Sequence, residues 1–102
     1  GSDDEQIALA VNQLVKQQGG FVVVASGKVI ETLPLPLGGL MSDQPAEYVA
    51  RQLKSMKIAA SSTGCTLTEP FLQLAFLPLP VIPYLKITDM GVINTVNMQF
   101  VE

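Results

Sequence analysis

Charge disappears from the chain between Pro70 and Leu85, and the pattern around that gap organises the rest of the sequence. A membrane-spanning helix needs roughly 20 apolar residues without a break. Here Pro70, Pro78, Pro80 and Pro83 interrupt the run, and an interior proline removes a helix hydrogen bond and clashes with the preceding turn. The pattern predicts instead a strand over Phe71–Leu77, followed by an extended, proline-fixed crossing over Pro78–Pro83. Phe71, Leu72, Leu74, Phe76 and Leu77 place apolar groups on both faces of that strand, so it is expected to be buried on both sides at the centre of the core.

Upstream, Ile7, Ala10, Val11, Leu14 and Val15 recur at helical spacing and predict a first helix with one apolar stripe. Asp3 or Asp4 can cap it, Ser2 and Glu5 have capping-box spacing, and Gly19 stands where a left-handed residue ends a helix. The stripe suits core packing; the alternative, an amphipathic helix on a partner or membrane, is disfavoured for membranes by the acidic first turn and single lysine. Phe21–Ala25 and Lys28–Leu33 read as two strands of a hairpin closed by Ser26-Gly27. The alternating prolines of Leu33–Met41 cannot continue a central ladder, so this segment is expected to leave the sheet in extended form. Gly38-Gly39 permits a tight turn or a close backbone approach; without a following Gly-Lys-Ser/Thr it is no phosphate-binding loop. A second helix follows, capped by Ser42 or Asp43 with Pro45 in its first turn. It is expected to bury Ala46, Val49, Ala50, Leu53, Met56 and Ala60, to expose Arg51 and Lys54, and to end near Gly64. Glu47 and Arg51 stand at pairing distance along it. Thr88–Gly91 reads as a turn, and the alternation of Val96, Met98 and Phe100 predicts a closing strand. The expected fold is α+β, order α-β-β-α-β-β, with two helices packed on one small sheet.

Composition changes this picture in one respect. The 102 residues suit a single domain. Only 15% are charged against 48% hydrophobic, where a soluble domain usually carries roughly 25% charge. So little charge over so small a body implies that part of the surface is covered by another domain or subunit. The net charge of −3 argues against a phosphate-backbone binder, which needs a basic patch, so no nucleic-acid partner is expected, and no membrane. A lone cysteine, Cys65, suits a reducing cytosol, and the expected location is cytoplasmic. Gly1-Ser2 has the look of a tag remnant, leaving residues 3–102 as a piece of a longer protein.

Two proline-rich segments then carry a resemblance: Leu33-Pro-Leu-Pro-Leu-Gly-Gly-Leu-Met-Ser-Asp43 and Glu69–Gly91. With them the chain, from Ile7 to Val101, resembles the C-terminal domain of bacterial adenine deaminases in the amidohydrolase superfamily. Met90 departs from the resemblance, which leads one to expect a basic residue in that turn. Leu-Pro-Leu-Pro occurs at Leu33–Pro36 and again at Leu77–Pro80, too short a repeat to establish a duplication. Pro80-Val-Ile-Pro83 matches a PxxP ligand formally, but no basic residue flanks it closely and a connector is the better reading.

The resemblance implies a parent that hydrolyses adenine to hypoxanthine and ammonia, with a divalent metal (manganese, iron or zinc) held in an upstream barrel. This stretch would then be an accessory domain, packed on the upstream catalytic domain of the same chain or on a second subunit of a homo-oligomer. The sequence has no histidine, the usual partner of carboxylates in such a metal site, and no His-x-Glu with Pro-Cys-x-x-Cys. No catalytic, cofactor or metal residue is therefore expected within it. Cys65 has no histidine to activate it. Of the carboxylates Glu31, Glu69 and Asp89, the strongest functional candidate is Asp89 beside Thr88, and its structural reading is a turn residue. The interface candidates are Leu35, Pro36, Leu40, Met41, Pro78, Pro80 and Pro83. The alternative function is a non-catalytic binding or dimerisation module unconnected with purines.

Overall fold

In the computed structural model, which describes residues 1–101, the element order is α1 (Asp4–Gln17), β1 (Gly20–Ala25), β2 (Lys28–Pro34), α2 (Ala46–Ser62), α3 (Pro70–Phe76), β3 (Leu85–Thr88), β4 (Gly91–Asn94) and β5 (Gln99–Phe100). The mixed α+β class is as expected. The strands divide into two antiparallel sheets rather than one, β1-β2 and β3-β4-β5, and they fall into separate compact units, Gly1–Thr68 and Glu69 onward. Among the described residues no helix is long and apolar enough to cross a membrane.

In the first unit Asp3 caps α1, its Oδ1 accepting the Gln6 backbone N–H at 2.8 Å. The Gln6 side-chain amide donates to the other carboxylate oxygen, so the cap pairs Asp3 with Gln6, both bonds donated by Gln6, in place of the expected Ser2–Glu5 box. At the other end the left-handed residue is Gln18 (φ 63°), one position before the expected Gly19. Gly19 serves a different need: a Cβ there would lie 2.4 Å from the Gly39 Cα, a distance no side chain tolerates.

The predicted stripe of α1 is split. Ala10 and Leu14 are half-buried, whereas Ile7, Val11 and Val15 are exposed. Glutamines occupy the inner positions between them. Gln17 donates to the carbonyls of Gly19 and Phe21 at 3.0 and 3.2 Å, Gln13 donates to Gln17, and Gln6 Oε1 accepts the Gly27 N–H. Backbone groups at the start of β1 and in the hairpin turn need partners, and the helix face that supplies them turns inward at the expense of the apolar one.

The β1–β2 hairpin matches expectation. Ser26 (φ 53°) and Gly27 (φ 71°) are both left-handed, as a two-residue turn matched to the strand twist requires. The register slips between Val23 and Val24, leaving Ile30 as the extra residue of a bulge. α1 lies chiefly on β1, and α2 lies on β2. The core here consists of Val23, Leu33, Met56 and Ala60, with Leu33 and Met56 fully buried. Val49 and Leu53 are half-buried, Ala46 and Ala50 are exposed, and Arg51 and Lys54 face solvent. Ser42 does not cap α2, because its Oγ accepts the Gln44 N–H in a local turn; Pro45 holds the cap position instead. Gly64 (φ 92°) follows the helix end, as expected.

The segment after β2 does not leave in extended form. Leu35 N–H donates to the Gly19 carbonyl, and Leu37 and Met41 then exchange backbone hydrogen bonds at 3.1 and 3.2 Å across a tight loop. Left-handed Gly38 and Gly39 make that loop possible.

In the second unit the expected central strand is helix α3. Pro70–Phe76 contains no β-branched residue, and Leu, Gln and Ala are good helix formers. Pro70 sits in the first turn, where its missing N–H costs nothing, and Pro78 has no N–H with which to continue. Pro70 and Phe71 are buried, but Leu72, Leu74, Phe76 and Leu77 are exposed, so this stretch is not the centre of the core. Pro78–Pro83 is turned rather than extended, with Leu79 N–H donating to the Phe76 carbonyl and Ile82 N–H to that of Leu79. The two Leu-Pro-Leu-Pro copies are not equivalent: Leu33 ends a strand at 1% exposure, and Leu77 ends a helix at 64%.

Thr88–Gly91 forms the expected turn, held by the Thr88 hydroxyl, which accepts the Met90 N–H and donates to the Gly91 carbonyl. The closing strand is shorter than expected. Asn94 and Asn97 side chains accept the N–H groups of Val96 and Gln99, and Met98 is left-handed. Local side-chain bonds of this kind offer the backbone a turn in place of a ladder, so only Gln99–Phe100 remains as β5.

Two predictions follow from the first unit. Met56→Ala is expected to destabilise the domain by about 2–5 kcal/mol through lost burial and a residual cavity, and Leu53→Ala by less, because Leu53 is already half in contact with water; urea unfolding curves check both. The Asp3 carboxyl is held below its ordinary pKa first by the Gln6 side-chain amide and then by the Gln6 backbone N–H. A lowered folded-state value means the cap's contribution is complete above the unfolded value and is lost as pH falls through the folded one. Amide protection in the first turn of α1 is therefore expected to drop in acid, and Asp3→Asn to flatten that dependence while keeping the cap.

Candidate docking surface

The acids singled out from the sequence occupy ordinary structural positions. Asp89 is exposed in the β3–β4 turn beside Thr88, whose hydroxyl secures that turn. Glu31 lies on β2 with its Oε1 accepting the Thr32 N–H, and Glu69 occupies the N-cap position of α3. Cys65 is a half-buried free thiol. Among the described residues no three His, Cys, Asp or Glu side chains converge to hold a metal. An open hollow at the start of α1 is lined by Asp3, Asp4, Glu5, Gln6, Leu9 and Gly27, but Asp3 and Gln6 there are engaged with each other and with the hairpin turn.

What the surface does offer is apolar area. Of the interface candidates, Leu40 (82% exposed) and Met41 (63%) stand out from the tight loop with Leu37, while Leu35 and Pro36 are half-buried. Pro78 and Pro83 are exposed and Pro80 is half-buried. These candidates therefore belong to two loops, one in each unit.

A third surface lies on the β3-β4-β5 sheet, outside the candidate list. Successive strand residues point to opposite faces, and directly opposed residues share one. Ile87 opposes Val92, Leu85 opposes Asn94, and Asn94 opposes Gln99. Val101 extends β5 beside Val92, donating its N–H to the Val92 carbonyl at 2.8 Å. Leu85, Ile87, Val92 and Val101 thus lie on one face, and all four are exposed. That face carries no charged residue; Lys86 and Thr88, half-buried, belong to the other with Ile93 and Phe100. The alternation Leu85-Lys86-Ile87-Thr88 before a turn was the sequence signal for it.

Comparison with known proteins agrees with the reading from the proline-rich segments. The family model for the adenine deaminase C-terminal domain matches residues 1–99. The chain is 56% identical over 99 residues to an adenine deaminase of Methylobacterium nodulans, covering 97% of this chain and 18% of that protein. It is 52% identical over 101 residues to an adenine deaminase of Brucella abortus, covering 99% and 17%, and 55% identical over 101 residues to one of Gluconobacter oxydans, covering 99% and 18%. The chain thus spans less than a fifth of the length of these relatives.

Proposed function

The chain belongs to the adenine deaminase C-terminal domain family, and on that premise we propose that it is the non-catalytic accessory domain of a longer, cytoplasmic adenine deaminase. In this reading the parent adds water to adenine and releases hypoxanthine and ammonia. A divalent metal (manganese, iron or zinc), bound in an upstream barrel, would supply the hydroxide. The domain's own role is to pack on that catalytic part or on a second subunit of a homo-oligomer, covering apolar surface on both sides of the contact.

One observation carries the proposal: a chain that matches the family over residues 1–99 contains no histidine at all. Hydroxide generation at neutral pH needs a metal held by several nitrogen or oxygen ligands, and proton transfer needs a positioned acid or base. The described residues present no such cluster, so the metal does not fit here and no chemical step is assigned to this domain. Low charge and the exposed apolar loops and sheet face support a covering role. A module unconnected with purines would leave the 52–56% identity to adenine deaminases without a reason.

An ammonia-release assay tests this reading on three species: the 102-residue chain, the whole polypeptide, and that polypeptide cut before Asp3. The isolated chain is expected to give no turnover with added manganese, iron or zinc. The whole polypeptide is expected to be active, and the truncated one less active or less stable. Metal-dependent turnover by the 102 residues would overturn the accessory role, and an inactive but fully metallated parent would overturn the deaminase assignment.

A further inference from the structure

We infer that the sheet face formed by Leu85, Ile87, Val92 and Val101 is the surface through which this domain docks on the remainder of its own longer polypeptide; the inference rests on the accessory-domain reading above. The chain from Glu69 onward is shorter than the roughly 40 residues below which a chain needs disulfides, metals or a partner to stay folded. The one cysteine, Cys65, precedes it, and its described residues form no metal-ligand cluster. Only Pro70 and Phe71 among those residues are buried. Cover by a further protein surface supplies such order, and the β3-β4-β5 face presents Leu85, Ile87, Val92 and Val101 to it with no charge among them and only Asn94 and Gln99 as polar neighbours.

The size of that face decides between occupants. From their exposures the four residues present on the order of 400 Å². A stand-alone protein–protein interface takes about 800 Å² from each partner, so a second copy seated here falls well short. Contacts between domains of one chain bury only about 600–1,500 Å² in total, and the face supplies one side of such a contact. Tethering makes the smaller area sufficient, because a linked partner is present at an effective concentration in the millimolar range. The length for such a partner exists in the family: the matched relatives extend far beyond the 17–18% of their length that this chain spans. The partner surface is accordingly apolar and uncharged opposite Leu85, Ile87, Val92 and Val101, with polar groups opposite the Asn94–Gln99 pair.

Thiol labelling of the whole polypeptide tests the inference. In a Cys65→Ser background, single cysteines are introduced as Ile87→Cys and, on the exposed side of α2, Lys54→Cys, and maleimide uptake at each is read by peptide mass spectrometry. Ile87 is 81% exposed in this domain, so without a docked partner the two sites label at similar rates. With docking, position 87 is expected to label about tenfold or more slowly when folded and equally in urea, unchanged by about hundredfold dilution. Should Ile87→Cys impair folding, Val101→Cys on the same face gives the same comparison. Equal rates in the folded protein would overturn the inference, as would protection that vanishes on dilution, which would assign the face to a second copy. Loss of the deaminase reading is seen separately, as a protected face in a polypeptide that does not turn over adenine.

Discussion

Few of this chain's apolar residues are buried, and the arrangement of the rest follows from that constraint. Among the described residues the buried apolar side chains are Val23, Leu33, Met56 and Ala60 in the first unit and Pro70 and Phe71 in the second. At 48% hydrophobic and 15% charged, many large apolar side chains must stand in contact with water unless another surface covers them. Scattered single cases need no explanation, since more than half of any protein surface is apolar. A row across three strands with no charge among it is different, because nothing in local structure requires Ile87, Val92 and Val101 to share a face with Leu85. The packing surplus is thus the link from composition to function.

Much of the first unit was legible because local and tertiary preferences agree there. Ser26-Gly27 demands two left-handed residues in sequence, and the flanking β-branched strands accept that turn. On α2 Val49, Leu53, Met56 and Ala60 repeat at helical spacing and carry what burial there is, while Ala46 and Ala50 at the same period stay exposed. On α1 they conflict. Apolar periodicity marks Ile7, Val11 and Val15 for burial, but hydrogen-bond demand from Gly19, Phe21 and Gly27 draws in Gln6 and Gln17. A buried backbone group without a partner costs about as much as the transfer of an aliphatic side chain gains, and no hydropathy pattern records that demand.

The second unit was harder to read for a different reason. A short apolar run does not by periodicity distinguish a buried strand from a helix turn, and the two-sided apolarity of Phe71–Leu77 points to a strand where the chain forms a helix. Its residue types carried the better signal, since a run of Leu, Gln, Ala and Phe without Val, Ile or Thr favours the helix observed. At Thr95–Met98 the alternation of apolar residues was real, but Asn94 and Asn97 bond the backbone locally and convert it to a turn. The proline-rich candidates were legible as unusual sequence. Their conformations were not, because proline fixes only its own φ and leaves the turn to its neighbours.

Chemistry followed a third logic. The absence of histidine is complete in the sequence, so no fold could assemble a histidine-based metal site from these residues, and Glu31, Glu69 and Asp89 stand apart on β2, at the start of α3 and in the β3–β4 turn. The link to adenine deaminases rests on the family match and on the identity to those proteins, not on any residue chemistry in this chain. In the accessory reading the domain contributes surface, and an exposed apolar area on the order of 400 Å² binds usefully only when the partner is held close. Covalent linkage removes most of the translational and rotational cost that a free partner would face. On the docking inferred above, a small apolar face that is weak as an independent binding site is enough once its partner is tethered.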